Sequence, residues 1–171
     1  GDRTFTLGKA SEAATFTEGD LVVLALSDTS GTLEAHLHNE QDGGGDCEWQ
    51  VPYTMKWVGQ VASVDGATLT VPQPLRQDVR LDWSPSLRTA PFRMEVGVES
   101  LRIRFPDIEY AGHLLEPGYN GITFAGGVAN AWVTEVTFEN VDSGILADPM
   151  SKWHSYRDIV FAGREGHHGF N

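Results

Sequence analysis

The sequence contains one cysteine, Cys47, which rules out an internal disulfide. Asp46 and Glu48 flank it and disfavour the thiolate, so an inert or intermolecular thiol is expected rather than a nucleophile. Asn-x-Ser/Thr occurs nowhere, which leaves no acceptor for N-glycosylation. No apolar run approaches the ~18–20 residues of a bilayer-spanning helix, so no membrane span is expected. Neither an initiator methionine nor a signal-like apolar segment opens the chain, which suggests a processed, trimmed or partial polypeptide beginning at Gly1. Basic residues are scarce: 12 Lys and Arg against 24 Asp and Glu give a formal charge of −12. Nucleic acid and anionic membranes are therefore poor partners. An extracellular or cell-surface protein, or a periplasmic one, fits this acidity. No stretch carries an apolar period of 3.6 over ten positions, so the 171-residue chain is expected to be all-β.

What is present is repetition between Glu99 and Asn171. Glu99-Ser100-Leu101-Arg102-Ile103 aligns with Thr134-Glu135-Val136-Thr137-Phe138 and with Arg157-Asp158-Ile159-Val160-Phe161. A second set falls between them: Asn120-Gly121-Ile122, Ser143-Gly144-Ile145 and His168-Gly169-Phe170. Val136 to Ile159 is 23 residues, Gly121 to Gly144 is 23 and Gly144 to Gly169 is 25. Leu101 to Val136 is 35, one period plus an insertion around Pro106–Pro117. Units this small cannot bury an apolar face alone and must stack on copies of themselves. With two short strands per unit, the solution is a coil of parallel strands, a β-helix, in which like residues lie one above another. Each glycine is read as a tight bend between two strands of a coil.

The preceding chain reads differently. Residues 1–18 are an extended lead-in, and Leu21–Leu26 is a buried strand. Thr32–His38 alternates and is expected as a strand, with Glu34, His36 and His38 on one face. His36 and His38 have the spacing for Zn²⁺ but no marked third ligand. Gln41–Asp46 is an acidic loop. Trp57–Val64 and Ala67–Val71 flank Asp65-Gly66, a hairpin signal. Residues 19–90 are thus expected to form a small antiparallel β module, barrel- or sandwich-like, and residues 91–171 the parallel coils. Most of Trp49, Tyr53, Trp57 and Trp83 fill that module's core.

Val98–Ile103, Gly118–Phe124, Val133–Asn140 and Gly166–Gly169 together resemble the pectate-lyase-like superfamily of right-handed parallel β-helix proteins, over about the last 75 residues. That resemblance implies polysaccharide lyases, glycoside hydrolases, tail-spikes, adhesins or structural proteins. For the enzymes it also implies acidic side chains holding Ca²⁺ and an Arg or Lys base. The candidate catalytic residues are His167, Asp142 and Arg157, with His167 expected on the outer face above Asp142 and Tyr119, and His168 above Ser143 and Asn120. A polar ladder at a coil corner is the plainer reading of the same pair. Asp142, Asp148 and Asp158 are the candidate Ca²⁺ ligands, on successive loops with Arg157 or Arg164 nearby, and a solvated acidic surface is their plainer reading. Trp132, Trp153 and Tyr156 are the candidate outward-facing sugar platform. Three clear coils are few for such an enzyme. The leading expectation is therefore a structural or carbohydrate-binding β-helix protein, part of a larger chain or assembly, whose open coil end stacks on another protein surface. The rival expectation is a polysaccharide lyase or glycoside hydrolase.

Overall fold

The computed structural model describes residues 2–40, 52–112 and 115–171. The acidic loop Gln41–Asp46, Cys47 and Trp49 lie outside the described residues. The chain divides into two compact units, Gly1–Ala90 and Pro91–Asn171.

In the first unit, β1 (Thr4–Thr6) and α1 (Ala10–Ala13) precede β2 (Leu21–Asp28) and α2 (Thr32–Leu37). Then come β3 (Tyr53–Gln60), β4 (Ser63–Asp65), β5 (Thr68–Thr70) and, after a 3₁₀ turn at Leu81–Trp83, β6 (Ser86–Thr89). Two antiparallel sheets result, ordered β1-β5-β4 and β3-β2-β6. The apolar run expected as a buried strand is β2, whose Val22, Val23, Leu24 and Leu26 are buried. β4 and β5 form a hairpin with Asp65 opposite Thr68, and Gly66 takes a positive φ in its loop. The residues expected as a lead-in supply β1, which pairs with β5, and α1.

Thr32–His38 is not a strand. Thr32–Leu37 is a helix, started by Asp28, whose carboxylate accepts from the N–H of Leu33 at 2.8 Å and of Ser30 at 2.8 Å. Three alternating apolar residues fit a strand, whereas in a helix only Leu33 and Leu37 share a face and Ala35 does not; the Asp28–Ser30 turn overrides the alternation. Leu33 and Glu34 are buried, and His36 packs against Trp83 at 5.1 Å between ring centres. Trp83 is fully buried and donates its indole N–H to Thr32 Oγ1 at 3.0 Å.

The second unit is built from β7 (Arg93–Met94), β8 (Gly97–Arg104), β9 (Asn120–Phe124), β10 (Val128–Ala129), β11 (Trp132–Glu139), β12 (Ser143–Ala147), β13 (Ser155–Ala162) and β14 (His168–Phe170). The chain enters the same parallel sheets in rotation, giving the orders β8-β11-β13, β9-β12-β14 and β7-β10. Register follows the sequence repeat: Val136 lies between Leu101 and Ile159, and Ser143 between Asn120 and His168. Successive turns therefore bury like on like. In the middle turn Val133, Val136 and Phe138 are fully buried and Ile145 nearly so, each contributing roughly 1.5–3 kcal/mol.

Left-handed residues bend each turn at matching places. Ser100, Glu135 and Asp158 have φ of 52°, 56° and 54° within β8, β11 and β13. Glu95, Asn130 and Trp153 form a second such row, with φ of 55°, 54° and 57°. Asn140 and Gly163 form a third. A left-handed residue turns the strand without breaking the ladder on either side, so Val133 and Val136 both face the core. Gly121, Gly144 and Gly169 are not at these bends. They lie inside β9, β12 and β14, and rings occupy the space beside them, Phe138 against Gly121 and Phe161 against Gly144 and Gly169. Their smallness is needed for close approach, which corrects the bend expected from sequence.

Candidate functional site

A cluster of ionisable side chains gathers at the corner where the chain leaves β8, β11 and β13 for β9, β12 and β14. Its centre is Asp142, 1% exposed, the residue before β12. Asp142 Oδ2 accepts from the N–H of Tyr119 at 2.7 Å, and Oδ1 receives the Arg164 guanidinium. The Asp142 and Arg164 side chains are 1% and 7% exposed, so the pair is closed to solvent. Burial pushes the Asp142 carboxyl up, but Arg164 and the N–H groups of Tyr119 and Gly118 outweigh it, leaving the group below its ordinary value. Asn140 braces the corner: its amide donates to the Phe105 carbonyl and its oxygen accepts from the Arg164 N–H, both at 3.1 Å.

Beside this pair, His167 Nδ1 lies 2.8 Å from Glu116 Oε1, with the two side chains 19% and 10% exposed. The Glu116 carboxyl is held below its usual value, first by its own backbone N–H and further by His167. An ionised carboxylate only accepts, so Nδ1 carries the proton and the acid–base chemistry of the ring falls to Nε2. Glu116 Oε2 and Arg164 Nε are buried without a hydrogen-bond partner. Burial raises the Tyr110 phenol, and the carboxylates of Glu116 and Asp142 add to that, so it stays protonated at neutral pH.

The sequence expectation placed His167 and His168 on opposite faces. Instead the rings stack at 3.9 Å, because Gly166-His167 is a corner and both backbone N–H groups donate to the Asp142 carbonyl, at 2.6 and 3.0 Å. His168 is exposed in register with Ser143, and Tyr119 stacks on Phe105 at 5.0 Å. Asp142 and His167 are thus brought together, and Arg157 is not with them. Arg157 lies on the outward row of β13 beside Asp158, at 3.6 Å, and Arg164 is the guanidinium on Asp142. Of the two arginines expected near the acidic loops, Arg164 is thus the one at Asp142, just past the Asn140–Gly163 row; Glu116 had no signal in the repeat, since it lies in the insertion.

Asp142, Asp148 and Asp158 occupy three different corners. Asp148 accepts from the N–H groups of Gly126 at 3.1 Å and Met150 at 2.6 Å, and Asp158 sits beside Arg157. Dispersed and already partnered, the three do not fit one Ca²⁺ site, which needs about six to eight converging oxygens. Among the described residues no group of three or more His, Cys, Asp or Glu is placed to hold a metal, His36 and His38 included. Of the candidate platform, Trp132 lies over Gly97 on the outer row and donates its indole N–H to Glu99. Trp153 occupies a left-handed corner beneath the Lys152 ammonium, 5.2 Å from its ring. Tyr156 is in register with Val133 and Val98, on the inward row, and its exposure is that of the third turn's open side.

No family model matches the sequence, and no curated protein does. In fold, the chain is similar to phage tailspike proteins. One is the tailspike protein gp49 from Pseudomonas phage LKA1, 13% identical, with a TM-score of 0.52 over 95% of this chain and 28% of that one. Another is the tailspike gp61 of Pseudomonas phage phi297, 15% identical, with a TM-score of 0.51 over 96% and 29%. The chain spans less than a third of the length of either.

Proposed function

We propose that this chain is part of a right-handed parallel β-helix protein of tailspike type, extracellular or virion-borne, whose work is structural or carbohydrate-binding. The observation that carries the reading is the fold: parallel turns in strict register, preceded by an antiparallel module, similar to two tailspikes over nearly the whole chain. The −12 charge and the absence, among the described residues, of any helix long and apolar enough to cross a membrane agree with it. The ligand contacts belong to the corner at Glu116, His167 and His168, with Trp132 on the outer row as a separate stacking face. Saturation-transfer NMR against a panel of bacterial surface polysaccharides tests this: transfer to at least one glycan is expected, weakened in His168→Ala. Silence across the panel leaves only the structural role.

The Glu116–His167 pair favours a second reading, an acid–base enzyme of the glycoside hydrolase or lyase type at the same corner. In its hydrolytic form His167 takes a proton from water as the hydroxyl adds to the anomeric carbon and the glycosidic C–O bond breaks; the leaving oxygen takes a proton from solvent water, and His167 returns its own to solvent. A reducing-end assay on any glycan the chain binds tests it. Activity lost in His167→Gln with binding retained supports the enzyme; no product from a bound glycan rejects it.

A further inference from the structure

Among the described residues, no guanidinium pairs with the Glu116 or Glu165 carboxylate at this corner. Arg164 is buried, turned to Asp142, with its remaining Nη1 donating to the Glu165 carbonyl at 2.8 Å. Glu116 is ionised beside His167, and Glu165 is exposed. Residues 91–171 hold eleven acidic and six basic side chains, so the wider surface of this unit adds to the same negative field. The polar inventory and the ring faces nonetheless suit a sugar. The exposed His168 ring on His167, and the half-buried Tyr119 on Phe105, are flat surfaces for pyranose C–H groups. Carboxylate oxygens accept from hydroxyls, whereas a ligand carboxylate would meet like charge at Glu116 and Glu165: Arg164 is buried against Asp142, and Arg102 and Arg104 at the end of β8 turn to Glu139.

We infer, on the carbohydrate-binding reading above, that this corner takes a neutral, hydroxyl-rich saccharide and discriminates against polyuronates. For the enzyme reading this selects hydrolysis over β-elimination, which requires a uronate whose carboxylate a cation must neutralise.

The test is calorimetric titration of the whole chain with neutral galactan and N-acetylglucosamine oligomers against polygalacturonate and alginate, at low and raised salt. A neutral glycan is expected to bind ~10-fold or more tightly than either polyuronate at low salt. That gap should narrow with salt and in Glu116→Gln/Glu165→Gln. Glu165→Gln alone, at an exposed position, should shift it in the same direction if the double variant fails to fold. Tighter binding of a polyuronate, or a gap unmoved by these variants, overturns the selectivity while leaving carbohydrate binding intact. A neutral glycan whose affinity is unchanged in His168→Ala overturns the siting. Failure to bind any glycan overturns the underlying reading itself.

Discussion

Single atoms decide much of the second unit. A methyl group on Gly144 would run into the Phe161 ring and the Gly169 carbonyl, so Gly144→Ala should cost about 1–3 kcal/mol in urea unfolding. Gly8→Ala, where the new carbon would meet only Glu12 at 3.7 Å, should be close to neutral. Carboxyls set the pH response. The Leu33 N–H, with Ser30 and Thr32, holds Asp28 far below its ordinary value, and Asp142 also lies below it. A depressed carboxyl contributes stability that is complete above the unfolded value of about 4 and is lost as pH falls through the folded one. Thermal melts should therefore be flat near neutrality and fall below about pH 4, with a shallower fall in Asp28→Asn. An unchanged acid limb in that variant would count against this account. At this scale the sequence was only partly legible. Asp142 and His167 stood out because they share a column, and Arg164 could be read only as an alternative to Arg157 near the acidic loops, while Glu116 reaches the corner from the insertion, which has no repeat.

At the scale of elements, the recurring device is the left-handed bend. Glu135 holds φ of 56° between two fully buried valines, where a β-branched side chain would clash with its own backbone. Glu135→Val should lower the melting temperature well below that of Glu135→Asn, since asparagine tolerates this region. Equal melting temperatures would mean that the corner has relaxed out of it. The strands were legible because three aligned pentapeptides share one apolar frame, and their pairing register follows it residue for residue. The bends were not, since Ser, Glu and Asp there have no common glycine to betray a positive φ. The helix at Thr32–Leu37 was misread for the opposite reason. Its alternation pointed to a strand, but the deciding contact is the Asp28 carboxylate upstream.

For the whole molecule, burial is uneven among the turns. Val136 is fully buried in the middle, whereas Leu101 in the first turn is 39% exposed, and Phe161 and Phe170 in the third are 40% and 51% exposed. β13 and β14 also stand at the edges of their sheets. Apolar rows beside open strand edges favour pairing with another chain. The 171-residue chain should accordingly self-associate with rising concentration in sedimentation velocity, and Phe170→Lys should shift it toward monomer; a purely monomeric chain at all concentrations would contradict this. The insertion between β8 and β9 has a wider consequence. One extra residue inside a strand would turn every following side chain inside out, whereas about a dozen extra residues at the corner leave the first turn in register with the second. The coil thus behaves as a graduated rail with an open slot at that corner. A loop can be lengthened or exchanged at that slot while the rail beneath it keeps its gauge.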